Sequence, residues 1–244
     1  MLKRIEIPGY GPYVFGRKKL PDGATRFTSA TTVGSSPAPL SIDSIREAAK
    51  SLHPIYRAEA NMLGNDRHGC CTCAAVLHLQ VIFDCAAGRT WREPSVADCL
   101  WLYSQTTNPP FDPSTGANDD GAEMQTVLEF WRTNGAYSDG TGKIRSWSAV
   151  DPADTHAVND ALETNGNLYA GADLPDEWLK VANGGTWGLA GEPNPDYGHC
   201  TAMYGKNLNG LFDNSWGFAL TVTWPALAKY FGGESGELFT VVPA

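Results

Sequence analysis

The run Cys73-Ala-Ala-Val-Leu-His-Leu-Gln-Val-Ile-Phe-Asp-Cys-Ala-Ala87 contains no glycine or proline, and it is apolar around most of its circumference until Gly88 closes it. A helix that is apolar on every side must be buried on every side. The remainder of the chain therefore has to wrap this one element. With 244 residues, 42% of them hydrophobic and only 18% charged, there is enough apolar chain to do so, and disorder is excluded as a general state.

Around that helix the pattern predicts an α+β protein in three parts. Residues 1–60 form an N-terminal extension, of which residues 1–40 are rich in Gly, Pro, Ser and Thr. Short β-like stretches at Arg26–Thr28 and Ala30–Val33 suggest a segment that wraps the surface. Ser41 or Asp43 then caps a helix that runs to about Leu52 and is stopped by Pro54. Residues 61–140 form a helical lobe. Besides the buried helix it holds one opened by Ser95 and Asp98 and running to about Gln105, and one opened by Asp119 or Asp120 with Glu123 and ending at Asn134-Gly135. Residues 141–244 form a β-rich lobe, with strands expected at Ile144–Trp147, Asn167–Ala172, His199–Gly205, Gly210–Asn214, Ala219–Trp224 and Leu238–Val242 and one helix at Thr155–Asn165.

The balance of charge removes some functions. A net charge of −9 and a pI near 5.0 oppose binding to a phosphate backbone, so no nucleic-acid partner is expected. The N-terminus has no apolar core of a secretory signal, and no run reaches the ~18 apolar residues of a membrane span. A soluble cytoplasmic protein without a membrane partner is the expectation. Its six cysteines, 70, 71, 73, 85, 99 and 200, are then expected as free thiols.

One of those thiols is well placed for chemistry. The turn-rich loop Gly64-Asn65-Asp66-Arg67-His68-Gly69-Cys70-Cys71-Thr72 leads directly into the buried helix. A helix N-terminus offers unpaired N–H groups and a positive dipole end, which favour a thiolate and can bind a developing oxyanion. A nucleophile needs a base. Of His53, His68, His78, His156 and His199, the last opens a strand after a flexible loop and is held most rigidly. Fifteen residues beyond it stands Asn214, in Asp213-Asn214-Ser215-Trp216-Gly217. A carboxamide can accept a hydrogen bond from the imidazole, and the neighbouring indole can shield it from water.

In these residues the sequence resembles the papain-like cysteine peptidases. Gly69-Cys70-Cys71-Thr72 is similar to the family's Gly-Ser-Cys segment, His199 follows 128 residues after Cys71, and Asn214-Ser215-Trp216-Gly217 matches the family's Asn-Ser-Trp-Gly motif. The resemblance implies a helical lobe packed on a β-rich lobe with the active-site cleft between them. It implies acyl transfer from a peptide or isopeptide to water, with Cys71 as nucleophile, His199 as base and Asn214 orienting it; Trp216 and Gly69 are supporting residues. Asn65 falls where the family has the glutamine of its oxyanion hole and is one methylene shorter.

Other readings of the same residues stay open. Cys70 and Cys73 flank the proposed nucleophile, and each is an alternative to it. Cys70, Cys71 and Cys73 with His68 or His78 form a poorly spaced zinc set, because adjacent cysteines leave little room for two tetrahedral ligands; no metal and no cofactor are expected. The acidic turn Asn118-Asp119-Asp120-Gly121 is read as a helix start, with a cation site or a substrate contact from Asp120 or Gly121 as the alternatives. A silent scaffold or binding protein that keeps the fold, such as a component of a phage or bacterial assembly, is the alternative to a hydrolase with a peptide or protein substrate.

Overall fold

The structure is a computed structural model that describes residues 3–7, 11–19, 29–31 and 62–244. The expected helix ending near Leu52 and the stretch Arg26–Thr28 lie outside the described residues. Four short strands come first: β1 (Arg4–Ile7), β2 (Gly11–Val14), β3 (Arg17–Lys18) and β4 (Ser29–Thr31). Then come α1 (Cys71–Ala86), α2 (Val96–Thr106), β5 (Ala122–Glu123) and α3 (Met124–Asn134). The chain continues with β6 (Ile144–Ala149), α4 (Thr155–Asn165), β7 (Leu168–Asp173), β8 (Thr186–Trp187), β9 (Gly198–Lys206), β10 (Gly210–Ser215), β11 (Phe218–Thr223) and β12 (Glu237–Pro243).

Helix α1 meets the demand its sequence makes, since every residue from Cys71 to Phe83 is buried. The cover is a sheet of eight strands in the order β4-β6-β12-β7-β9-β10-β11-β8, antiparallel except where β8 runs alongside β11. Side chains of a strand alternate between faces. Tyr169, Cys200, Ala202, Tyr204, Phe239 and Val241 pack with α1, α2 and α3. Leu168, Ala170, Met203, Leu211, Val222 and Leu238 point the other way, into a second core with Val158 and Leu162 of α4 and the stacked pair Trp178–Trp187. Each fully buried Leu, Val or Phe contributes roughly 1.5–3 kcal/mol, so the sheet is held from both sides.

Two expectations need correction. Residues 13–17 do not wrap the surface: Tyr13, Val14, Phe15 and Arg17 are all buried. The third helix does not open on the acidic turn. It begins at Met124 after Glu123, which makes no side-chain cap bond, because Asp119 is engaged elsewhere. Only part of the expected strand Ala30–Val33 falls in the described β4, which pairs with β6. Among the described residues no helix is long and apolar enough to cross a membrane.

Candidate active site

Cys71 is the first residue of α1, after an N-cap residue, Cys70, that makes no side-chain cap bond. The loop before it is anchored by Asp119, which accepts from the Gly69 N–H at 3.0 Å and from the Tyr103 hydroxyl at 2.9 Å and lies 3.0 Å from His68 Nδ1. Tyr103 in turn accepts from the Gly121 N–H at 2.7 Å. The acidic turn is thus a clamp on the cysteine loop. The other thiols of the cluster diverge: Cys70 donates toward Leu63 O and Asn65 Oδ1, whereas Cys73 lies 3.6 Å from Thr106 Oγ1. Among the described residues no group of three or more His, Cys, Asp or Glu side chains is arranged to hold a metal.

His199 sits near the start of β9. Its ring stacks on Trp216 with centroids 3.9 Å apart, and Nε2 lies 2.9 Å from Ser215 Oγ. Trp216 and Gly217, both at positive φ (52° and 74°), make the two-residue turn between β10 and β11 and so set the indole over the imidazole. Among the described residues the Asn214 carboxamide has no hydrogen-bond partner. Ser215, which sequence reasoning passes over, is the residue at the ring.

The reason is a register shift. Phe212 pairs with Gly205 but Asp213 pairs with Met203, so Tyr204 is bulged. A one-residue slip exchanges the two faces of a strand. It turns Ser215 toward the His199 side and Asn214 toward α1. Asn214 nevertheless lines, with Cys71, Asn65, His199, Cys200 and Trp216, one residual cavity of about 10 Å³. That is room for about one water molecule.

The N-terminal segment lies against both the cysteine loop and the histidine strand. The backbone N–H groups of Cys200 and Gly16 favour the Cys71 thiolate. Gly16 O accepts from the Ala122 N–H at 2.8 Å, and β3 continues this contact as a parallel pair with β5. A Cβ on Gly16 would lie 1.8 Å from Gly69 O, so only glycine fits here. On the other side Phe15 stands edge-on to His199 and Trp216, and Tyr13 packs on Trp216. Residues 11–19 are therefore a strap laid between the cysteine loop and the histidine strand.

Burial under the strap sets the protonation states. Cys71 is pushed up to about 12 by loss of solvent, which outweighs the two N–H donors that favour its thiolate. His199 is lowered to about 3, again by burial first and by the nearby Arg17 charge second. In the strapped state the pair is a neutral thiol and a neutral imidazole.

The fold is the α+β papain-like one. The chain is similar to xylellain, a cysteine protease from Xylella fastidiosa, at a TM-score of 0.52 and 13% identity, over 99% of this chain and 98% of that one. It is also similar to the proform of the ragweed pollen cysteine protease Amb a 11, at a TM-score of 0.50 and 16% identity, over 72% of this chain. The chain spans 60% of the length of that ragweed proform. No protein-family model and no curated protein sequence matches it. At these identities the likeness is one of fold.

Proposed function

We propose that the protein is a cysteine hydrolase that cleaves peptide or isopeptide bonds through a thioester. The observation that carries this reading is the cavity on whose wall Cys71, at the start of a buried helix, and His199, stacked on Trp216, both stand. When the strap is displaced and water enters, the burial that suppresses charge on both groups is relieved. His199 takes the Cys71 proton as the sulfur attacks the amide carbonyl, giving an oxyanion held by first-turn N–H groups of α1 and by Asn65. Collapse breaks the C–N bond and His199 delivers the proton to the departing amine. Water, deprotonated by His199, then attacks the thioester, releasing the acid and restoring the thiol. Trp216 shields the imidazole, Gly69 lets chain approach the sulfur closely, and Asn214 with Ser215 orients the ring.

The reading is tested with Gly16→Ala, whose added methyl cannot be accommodated against Gly69 and which unseats the strap. A peptidyl epoxide should add to Cys71 of this variant, as located by peptide mapping, and the adduct should vanish in Gly16→Ala/His199→Ala. An adduct on Cys70 or Cys73 would move the nucleophile. No adduct on any cysteine would favour the silent scaffold, a reading to which the neutral, buried pair of the strapped state lends its support.

A further inference from the structure

The strap carries Arg17 into the protein, where its side chain is fully buried between two carboxylates. Nη1 donates to Glu237 Oε2 at 2.9 Å, and Nη2 donates to Asp173 Oδ1 at 3.1 Å and to the Ser235 carbonyl at 2.7 Å. The walls are built for a long side chain. A Cβ on Gly171 of β7 would lie 2.5 Å from Arg17 Cδ and 2.3 Å from Met124 Sδ, so the glycine leaves the space that the arginine stem occupies. Asp173 also holds the half-exposed Lys19 Nζ at 2.6 Å. Gly16, the residue before Arg17, abuts Gly69 of the cysteine loop, two residues before Cys71.

We infer that the pocket of Asp173, Glu237, Ser235 and Gly171 is a substrate-recognition site for an arginine side chain beside the scissile bond, and that Arg17 occupies it in the strapped state as a self-ligand. This rests on the hydrolase reading. When the strap leaves, both Arg17 and Lys19 leave with it, and two carboxylates then share one pocket with a net charge of −2. Two buried like charges are costly until a cation returns between them. The forked donors that Arg17 uses on three acceptors fit a guanidinium better than the point charge of an ammonium, so arginine is favoured over lysine and either over leucine. The distance along the chain from pocket to sulfur is one residue, which sets the selected side chain next to the bond that is cut.

The test uses the full chain carrying Arg17→Ala, which empties the pocket. Fluorescence anisotropy compares two labelled nonapeptides, the strap sequence Gly11–Lys19 and its Arg17→Leu version; kcat/KM is compared for fluorogenic peptides with arginine or leucine beside the scissile bond. The arginine peptides should bind, and be cut, at least about tenfold better, and adding Glu237→Gln or Asp173→Asn should erase most of the difference. Turnover without arginine preference would overturn the pocket while leaving the hydrolase standing. Arginine-selective binding without any turnover would keep the pocket and remove the hydrolase. Should Arg17→Ala fail to fold, Gly16→Ala provides an unseated strap for the same comparison, and equal binding of the two peptides there would overturn the inference.

Discussion

Which side chain steadies His199 is decided by a single bulged residue. Ser215 Oγ is at the ring, and among the described residues the Asn214 carboxamide has no hydrogen-bond partner in the strapped state. Ser215→Ala and Asn214→Ala, each measured in the Gly16→Ala chain, therefore separate two roles. If the strapped register is the working one, Ser215→Ala should lower kcat more than Asn214→Ala. If release of the strap lets the β10 register relax, Asn214→Ala should lower it more, and the pH profile of kcat should shift with it. The motif Asn214-Ser215-Trp216-Gly217 was legible from sequence, as was His199, because each is a local pattern. The exchange of Ser215 for Asn214 was not, because the bulge opposite them depends on how β9 and β10 meet. Asp213, beside them, is a second residue the sequence does not single out. Burial raises its carboxyl to about 8. Its Oδ1 accepts from the Thr201 hydroxyl, which also lies 2.7 Å from Asn214 O.

Most elements were readable because their signals are local. The helix Thr155–Asn165 has Asp154 accepting from the N–H groups of His156 and Ala157 and closes on Gly166 at φ 73°, as its sequence demands. Ser95 and Asp98 form the reciprocal capping box that opens α2. Ser95→Ala should thus cost about 1 kcal/mol of unfolding free energy, read as a lower denaturant midpoint with unchanged slope. No loss would show that α2 is held by packing alone. The strap was not readable. Residues 11–19 have neither period, and the burial of residues 13–17 comes from fitting between the lobes, where Gly16 meets Gly69 and Arg17 meets Asp173 and Glu237. The role of the acidic turn is hidden for a related reason: Asp119 is a helix-start residue by type, yet its partners Gly69 and Tyr103 are distant in sequence.

Across the whole molecule, buried titratable groups make stability depend on pH in opposite senses. His199 and His78 are lowered by burial, to about 3 and about 4, from an ordinary value of 6.5. Below 6.5 the unfolded chain binds protons that the folded one does not, so their contribution is lost as pH falls from 6.5 toward 3. Asp213 is raised, from 3.8 to about 8, so its contribution is present at low pH and is lost as pH rises from 3.8 through 8. Asp213→Asn should accordingly leave the acid limb of a melting-temperature profile unchanged and flatten the decline toward pH 8. A decline that persists in the variant would assign it to another group. We propose that Cys71 and His199 are a reactive pair silenced by the strap. This is tested most directly by the rate of iodoacetamide labelling at pH about 6, resolved by cysteine, in the native and Gly16→Ala chains. Cys71 should be unreactive in the native chain, where burial keeps it a thiol. In Gly16→Ala it becomes the fastest of the six cysteines, and His199→Ala removes that advantage. Equal, slow labelling of Cys71 in both chains, or rapid labelling that survives His199→Ala, would contradict it.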